Sequence, residues 1–161
     1  MERTHALTFV TSGDRDVILS RVFDVPADVL FHALTTPHLV QQWLGVHHPW
    51  SMPVCDIDLR EGGAYRYQWQ HPNGKSFGSR GTYLHVTPNA RIEAEEYFME
   101  YPTPVMVTQV LTEAHGRTTL SITERYASEE IRGMALASGM ETGVESSYDT
   151  LAVMLATAAV T

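Results

Sequence analysis

The spacing of apolar residues changes character along the chain and divides it into recognisable elements. Asp16 to Asp24 is rich in Val, Ile, Leu and Phe and reads as a β-strand. Pro26 follows at a first helical position, with Asp28 in the first turn, where a negative charge suits the helix dipole. A helix running to about Leu34 would place Val29, Leu30, Ala33 and Leu34 on one face. Thr36-Pro37 starts a second short helix capped by Thr36, carrying Leu39, Val40 and Trp43 and ended by Gly45. Residues 1–14 are mixed in character and read as a loose lead-in or an edge strand.

From Val54 to Tyr126 the pattern is that of consecutive antiparallel strands. Gly62-Gly63, Pro72-Asn73-Gly74, Pro88-Asn89, Tyr101-Pro102 and His115-Gly116 punctuate them. Ser128 then caps a helix through about Ala137, and Ser138 with Glu141 forms a capping-box pattern for a long final helix. Met140, Val144, Tyr148, Leu151 and Leu155 make one apolar stripe along it. Strand, two short helices, a run of strands and one long amphipathic helix make an α+β layout. It predicts a single domain over residues 16–158 behind a lead-in of residues 1–15. Only the final helix is long enough to cover the sheet, and a curved sheet gripping it leaves space between them.

Alternation along the strands predicts the wall of that space. Pairing around Pro72–Lys75 sets Trp69 near Gly78, Tyr67 near Arg80 and Tyr65 near Thr82; the next turn sets Leu84 near Ile92 and Arg80 near Glu96. Leu84, Val86, Ile92 and Phe98 then point inward, and Tyr67, Arg80 and Glu96 form a row across the inner face. A charge there needs a partner, so Arg80 and Glu96 are expected to bond to each other. The turn at His115-Gly116 sets Leu111 near Leu120 and Gln109 near Ile122, adding Gln109 and Glu124 as inward polar groups. Apolar walls with a few convergent polar groups describe a small-molecule site. The bland reading is that Tyr65, Tyr67, Trp69 and most of the final stripe are core, with Met140, Val144 and Tyr148 also able to touch a ligand and Trp43 packing at the cavity mouth.

The chain has 161 residues, a length that suits one domain with a real core. Its net charge of −8 argues against nucleic acid or an anionic membrane as partner, since both require a basic face. The single cysteine, Cys55, permits no internal disulfide and fits a reducing compartment. No signal-peptide-like segment and no run of ~20 apolar residues is present, so a cytoplasmic protein without membrane insertion is expected. None of the histidines has helical metal-binding spacing, and no metal or cofactor is expected. Gly74-Lys75-Ser76 lacks the upstream glycine of a phosphate loop, and Gly78-Ser79-Arg80-Gly81 lacks the spacing of a hydrolase elbow.

Several motifs, in order, resemble one bacterial family: Arg21–Pro26, Val29-Leu-Phe31, Thr35-Thr-Pro37, Trp43-Leu-Gly45, Asp58–Gly63, Arg80–Val86 and Ala135–Gly143. The family is related to the C-terminal domain of the activator of heat shock protein 90 ATPase, within the START-like (SRPBCC) superfamily that includes polyketide cyclase-like proteins. The resemblance implies a helix-grip fold with a cavity between sheet and final helix. The eukaryotic co-chaperones carry a further N-terminal domain, and with a first strand near residue 16 no counterpart of it is expected. Where relatives often have a bulky aromatic in the final helix, Val144 would enlarge the pocket.

The leading expectation is a protein that binds a hydrophobic or aromatic small molecule through Trp43, Tyr65, Tyr67, Trp69, Arg80, Leu84, Glu96, Gln109, Met140, Val144 and Tyr148. The alternative is a cyclase or dehydratase in which Glu96 acts as general base and Arg80 or Tyr67 stabilises an enolate. An interaction module comes third, and a homodimer is compatible with any of them.

Overall fold

A computed structural model describes residues 5–158. Eight strands form one antiparallel sheet: β1 (Thr8–Ser12), β2 (Asp16–Phe23), β3 (Ser51–Ile57), β4 (Ala64–Gln70), β5 (Ser76–Thr87), β6 (Arg91–Phe98), β7 (Val105–Ala114) and β8 (Arg117–Arg125). Their order across the sheet is β1-β2-β8-β7-β6-β5-β4-β3. Between β2 and β3 lie α1 (Ala27–Thr35) and α2 (Pro37–Trp43); α3 (Glu129–Ala137) and α4 (Met140–Ala158) follow β8. This is the expected α+β helix-grip architecture, and the lead-in contributes the edge strand β1.

Consecutive antiparallel pairs run from β3 to β8 and join β1 to β2, and the pairing of β2 with β8 unites the two sets. Alternating Val17, Leu19, Arg21 and Phe23 put β2's buried face against the helices. Leu30 of α1, Leu151 of α4, and Val17, Leu19 and Leu120 of the sheet are almost wholly buried at the centre of the core. The final helix packs as its stripe predicts, with Tyr148, Leu151 and Leu155 buried and Met140 and Val144 half-buried. One polar tie joins helix to sheet inside this layer: Arg21 Nη1 donates to Asp149 Oδ1 at 2.6 Å, and the guanidinium also lies 5.4 Å from the Phe23 ring centroid.

The caps differ in part from the sequence pattern. Ser128 Oγ accepts from Ile131 N and caps α3 as expected. Ser138 instead ends α3, its hydroxyl donating back to Ala135 O, and Gly139 at φ +83° turns the chain into α4, so the capping-box expectation fails. Pro26 precedes α1 and offers no side-chain acceptor; Glu113 supplies one, accepting from Ala27 N at 2.6 Å. None of the described helices is long and apolar enough to cross a membrane.

Candidate functional site

Between β6–β8 and the α3–α4 corner lies a cavity of about 290 Å³. Its walls are largely apolar: Val105 and Val107 from β7, Ile131, Met134 and Ala135 from α3, and Met140 from α4. Phe98, Tyr101 and Met134 line it while remaining exposed, which marks them as its mouth. Ile131, Met134 and Ala135 sit at helical spacing and so present one face of α3 to this space.

Two carboxylic acids reach in from the sheet. Glu96 on β6 pairs with Gly81 and Val105, and Glu124 on β8 pairs with Val107. Both belong to the inward face that carries Ile92, Ala94, Leu120 and Ile122. β7 alone separates their strands, a backbone distance of ~10 Å that two glutamate side chains can narrow. Both residues are half-buried, with the surface they keep lining the cavity.

Burial and the neighbouring Glu124 push the Glu96 carboxyl up to about 7, against the opposing effect of the Ser79 and Tyr65 hydroxyls. Burial raises Glu124 as well, while the hydrogen bond it accepts from Tyr126 works the other way. The Tyr126 hydroxyl stands 2.9 Å from Glu124 Oε2 and 3.5 Å from Met140 Sδ. Ser79 is buried on the inward face of β5, close enough to favour the charged form of Glu96, yet its Oγ completes no hydrogen bond. A polar corner in an apolar chamber is the arrangement a small-molecule site requires.

The sequence-predicted residues divide into distinct groups. Glu96 and Met140 line the cavity. Tyr65, Tyr67 and Trp69 face inward from β4 as alternation predicts, with the Tyr65 and Tyr67 ring centroids 5.3 Å apart. Trp69 belongs to a small core between α2 and β3–β4, where its Nε1 donates to Leu44 O at 2.8 Å. Trp43 stacks on Tyr148 with centroids 5.6 Å apart and donates to Ala33 O, so it holds α2 against α4 rather than lining the chamber. Tyr148 is buried there, and its hydroxyl is raised by burial and by the two glutamates. Val144 packs half-buried on the same core, and Gln109 faces inward opposite Ile92 and Ile122 without reaching the cavity wall.

Arg80 and Leu84 must be corrected. Tyr67 pairs with Ser79 instead of Arg80, because His71 N bonds Lys75 O and closes an odd-length turn around Pro72-Asn73-Gly74. In the next hairpin Val86 pairs with Ile92 but Tyr83 with Ala94, so Leu84 is the extra residue of a bulge. These offsets turn Arg80 to the outer face opposite Arg66 and Tyr97, with its guanidinium 4.6 Å from the Tyr97 ring centroid. Leu84 is exposed. Arg80 and Glu96 therefore lie on opposite faces of the sheet, and their expected ion pair does not form.

The reading of the residues missed Tyr126, Val105, Val107 and the α3 face. The signals were present: extending the Gln109–Ile122 register by one inward step reaches Val107 and Glu124, and Ile131, Met134 and Ala135 follow helical spacing. Among the described residues, no group of three or more His, Cys, Asp or Glu converges as a metal site.

Comparison with known proteins agrees with this architecture. A protein from Rhodobacter sphaeroides is 30% identical and superposes with a TM-score of 0.89, over 94% of this chain and 99% of that one. A protein from Staphylococcus epidermidis is 27% identical, with a TM-score of 0.78 over 92% of this chain and 93% of its own. An AHSA1-like protein from Aeromonas hydrophila, at 17% identity, shares the fold with a TM-score of 0.69 over 86% of this chain and 94% of its own. No curated protein matches the chain. The model of the family described as Activator of Hsp90 ATPase homolog 1-like protein matches residues 24–156, and with that match over most of its length the chain belongs to this family of START-like helix-grip domains.

Proposed function

We propose that the protein binds a small, largely apolar molecule in the chamber between β6–β8 and α3–α4, as a carrier, sequestering protein or sensor. The observation that carries this reading is the chamber itself, about 290 Å³, largely apolar, with Glu96 and Glu124 on its sheet wall. At ~30 Å³ per water molecule it holds the volume of roughly ten waters, which suits a ligand of one or two rings. The test is a titration of methyl-labelled protein with indole. Saturable shifts confined to Ile131, Met134, Met140 and Val107, and lost in Ala135→Trp, support the reading. Shifts that do not saturate, or that survive the filled cavity, contradict it.

A second reading is an enzyme with Glu96 as its acid–base group, favoured by a carboxyl raised to about 7 at the wall of an apolar chamber. Arg80, on the outer face, takes no part in it. Glu96→Gln that leaves turnover of an identified substrate intact would remove this reading. A co-chaperone-like docking role comes third: the exposed Phe98, Tyr101 and Met134 that would serve it already line the cavity mouth.

A further inference from the structure

We infer that the chamber selects a cationic ligand, a small aromatic or aliphatic amine whose ammonium group sits between Glu96 and Glu124 with its apolar body along α3. The inference rests on the reading of the chamber as a binding site and adds the charge of its occupant.

Three observations carry it. First, the two carboxyl groups face one chamber from the same side of the sheet, and the described residues lining that chamber include no Lys, Arg or His. The buried guanidinium of the molecule, Arg21, sits on β2 and is bonded to Asp149 of α4. Second, acceptors outnumber donors around the two carboxyl groups. Each ionised carboxylate offers about four lone-pair sites. Against these stand the Tyr126 hydroxyl on Glu124, and the Tyr65 and Ser79 hydroxyls beside Glu96, of which Ser79 Oγ completes no bond. An ammonium brings three donors and the missing charge together; an alcohol brings one donor, and a fatty or aromatic acid adds a third negative charge. Third, the mouth carries the rings of Phe98 and Tyr101, with Tyr126 deeper in, and aromatic faces attract a cation along its path.

Proton linkage follows from the surroundings. The titratable groups that act on Glu96 and Glu124, besides each other, are the phenols of Tyr65, Tyr67, Tyr83, Tyr126 and Tyr148, on β4, β5, the end of β8 and α4. Burial leads the causes that raise every one of these phenols, so they stay neutral, and Glu96, raised to about 7, exchanges protons near neutrality. A bound ammonium favours the ionised carboxylates, so amine binding releases protons near pH 7, where Glu96 titrates.

The experiment is isothermal titration of the full chain with tryptamine, tryptophol and indoleacetate, which differ mainly in the polar group. The wild type is expected to bind tryptamine at least about tenfold more tightly than tryptophol at pH 8, with indoleacetate weakest. Glu96→Gln and Glu124→Gln are each expected to reduce the tryptamine advantage over tryptophol to about threefold or less. Circular dichroism and the urea midpoint show that each variant is folded. Tryptophol binding as tightly as tryptamine in the wild type overturns the cation inference and leaves the chamber reading standing. Failure of all three compounds to bind overturns both.

Discussion

Glu96 points inward in alternation with Ile92 and Ala94, and its cross-strand neighbour on β5 is Gly81. A Cβ at Gly81 would strike the Tyr65 ring at Cζ, Cε1 and Oη, so the missing side chain is the space the tyrosine occupies on its way to the carboxyl. Gly81→Ala is expected to cost about 1–3 kcal/mol, read from urea unfolding, because the ring or the strand must shift. The raised carboxyl makes its own prediction. In the unfolded chain Glu96 loses its proton near 4.5, whereas in the fold it keeps it to about 7. Between those values the unfolded state binds fewer protons, so the Glu96 contribution to stability is full below 4.5, falls as pH rises towards 7, and is level above. Glu96→Gln should flatten that slope and stabilise the protein at pH 8 by about 1–2 kcal/mol, after allowing for solvent that reaches the carboxyl through the cavity. A variant with an unchanged pH–stability curve would show that Glu96 is ionised in the fold without cost.

At the scale of elements, the hairpins show what the sequence made legible and what it did not. The β7–β8 hairpin has a tight turn at His115-Gly116 and no irregularity, and its register, Leu111 with Leu120 and Gln109 with Ile122, follows from alternation alone. In β4–β6 the same rule fails by one residue, which reverses Arg80 and Leu84 on β5 while the inward faces of β4 and β6 stay as alternation predicts. Pro72-Asn73-Gly74 signals a turn without fixing its length, and Leu84 carries nothing that distinguishes a bulge residue from an inward leucine. Once the bulge forms, Tyr83 and Val86 both reach the core, an apolar gain that outweighs leaving Leu84 in water. The end of α1 shows a similar limit. Pro26 places the helix start, but the group that caps it comes from Glu113, 86 positions away. Glu113→Ala should therefore cost about 1–2 kcal/mol and fray α1, visible as faster amide exchange at Ala27 and Asp28. Unchanged exchange there would show that solvent satisfies the helix start equally well.

For the whole molecule, the layout was legible because each level of the sequence agrees with the next: the period changes, the turn residues and the stripe on α4 all specify one sheet gripping one long helix. The interior was legible as a hydrophobic space with polar groups, and Glu96, Glu124 and Gln109 were placed on its side of the sheet. What the pattern could not supply was the location of the remaining void. Trp43, Trp69 and Tyr148 have the composition of a ligand wall, yet they fill the α2 end of the interior as packed core. The chamber lies at the other end, under the short α3, where Val105, Val107, Ile131 and Ala135 leave it open. Void position depends on the summed volumes of several elements, and no single strand or helix records it.

Native mass spectrometry of the protein purified from its own host, repeated after denaturation, tests whether this void is occupied in the cell. A ligand-filled chamber gives a discrete additional mass, that of a molecule of one or two rings, which disappears on unfolding and is absent from Ala135→Trp. A bare polypeptide mass in the native spectrum, with the same mass for the filled variant, would contradict it.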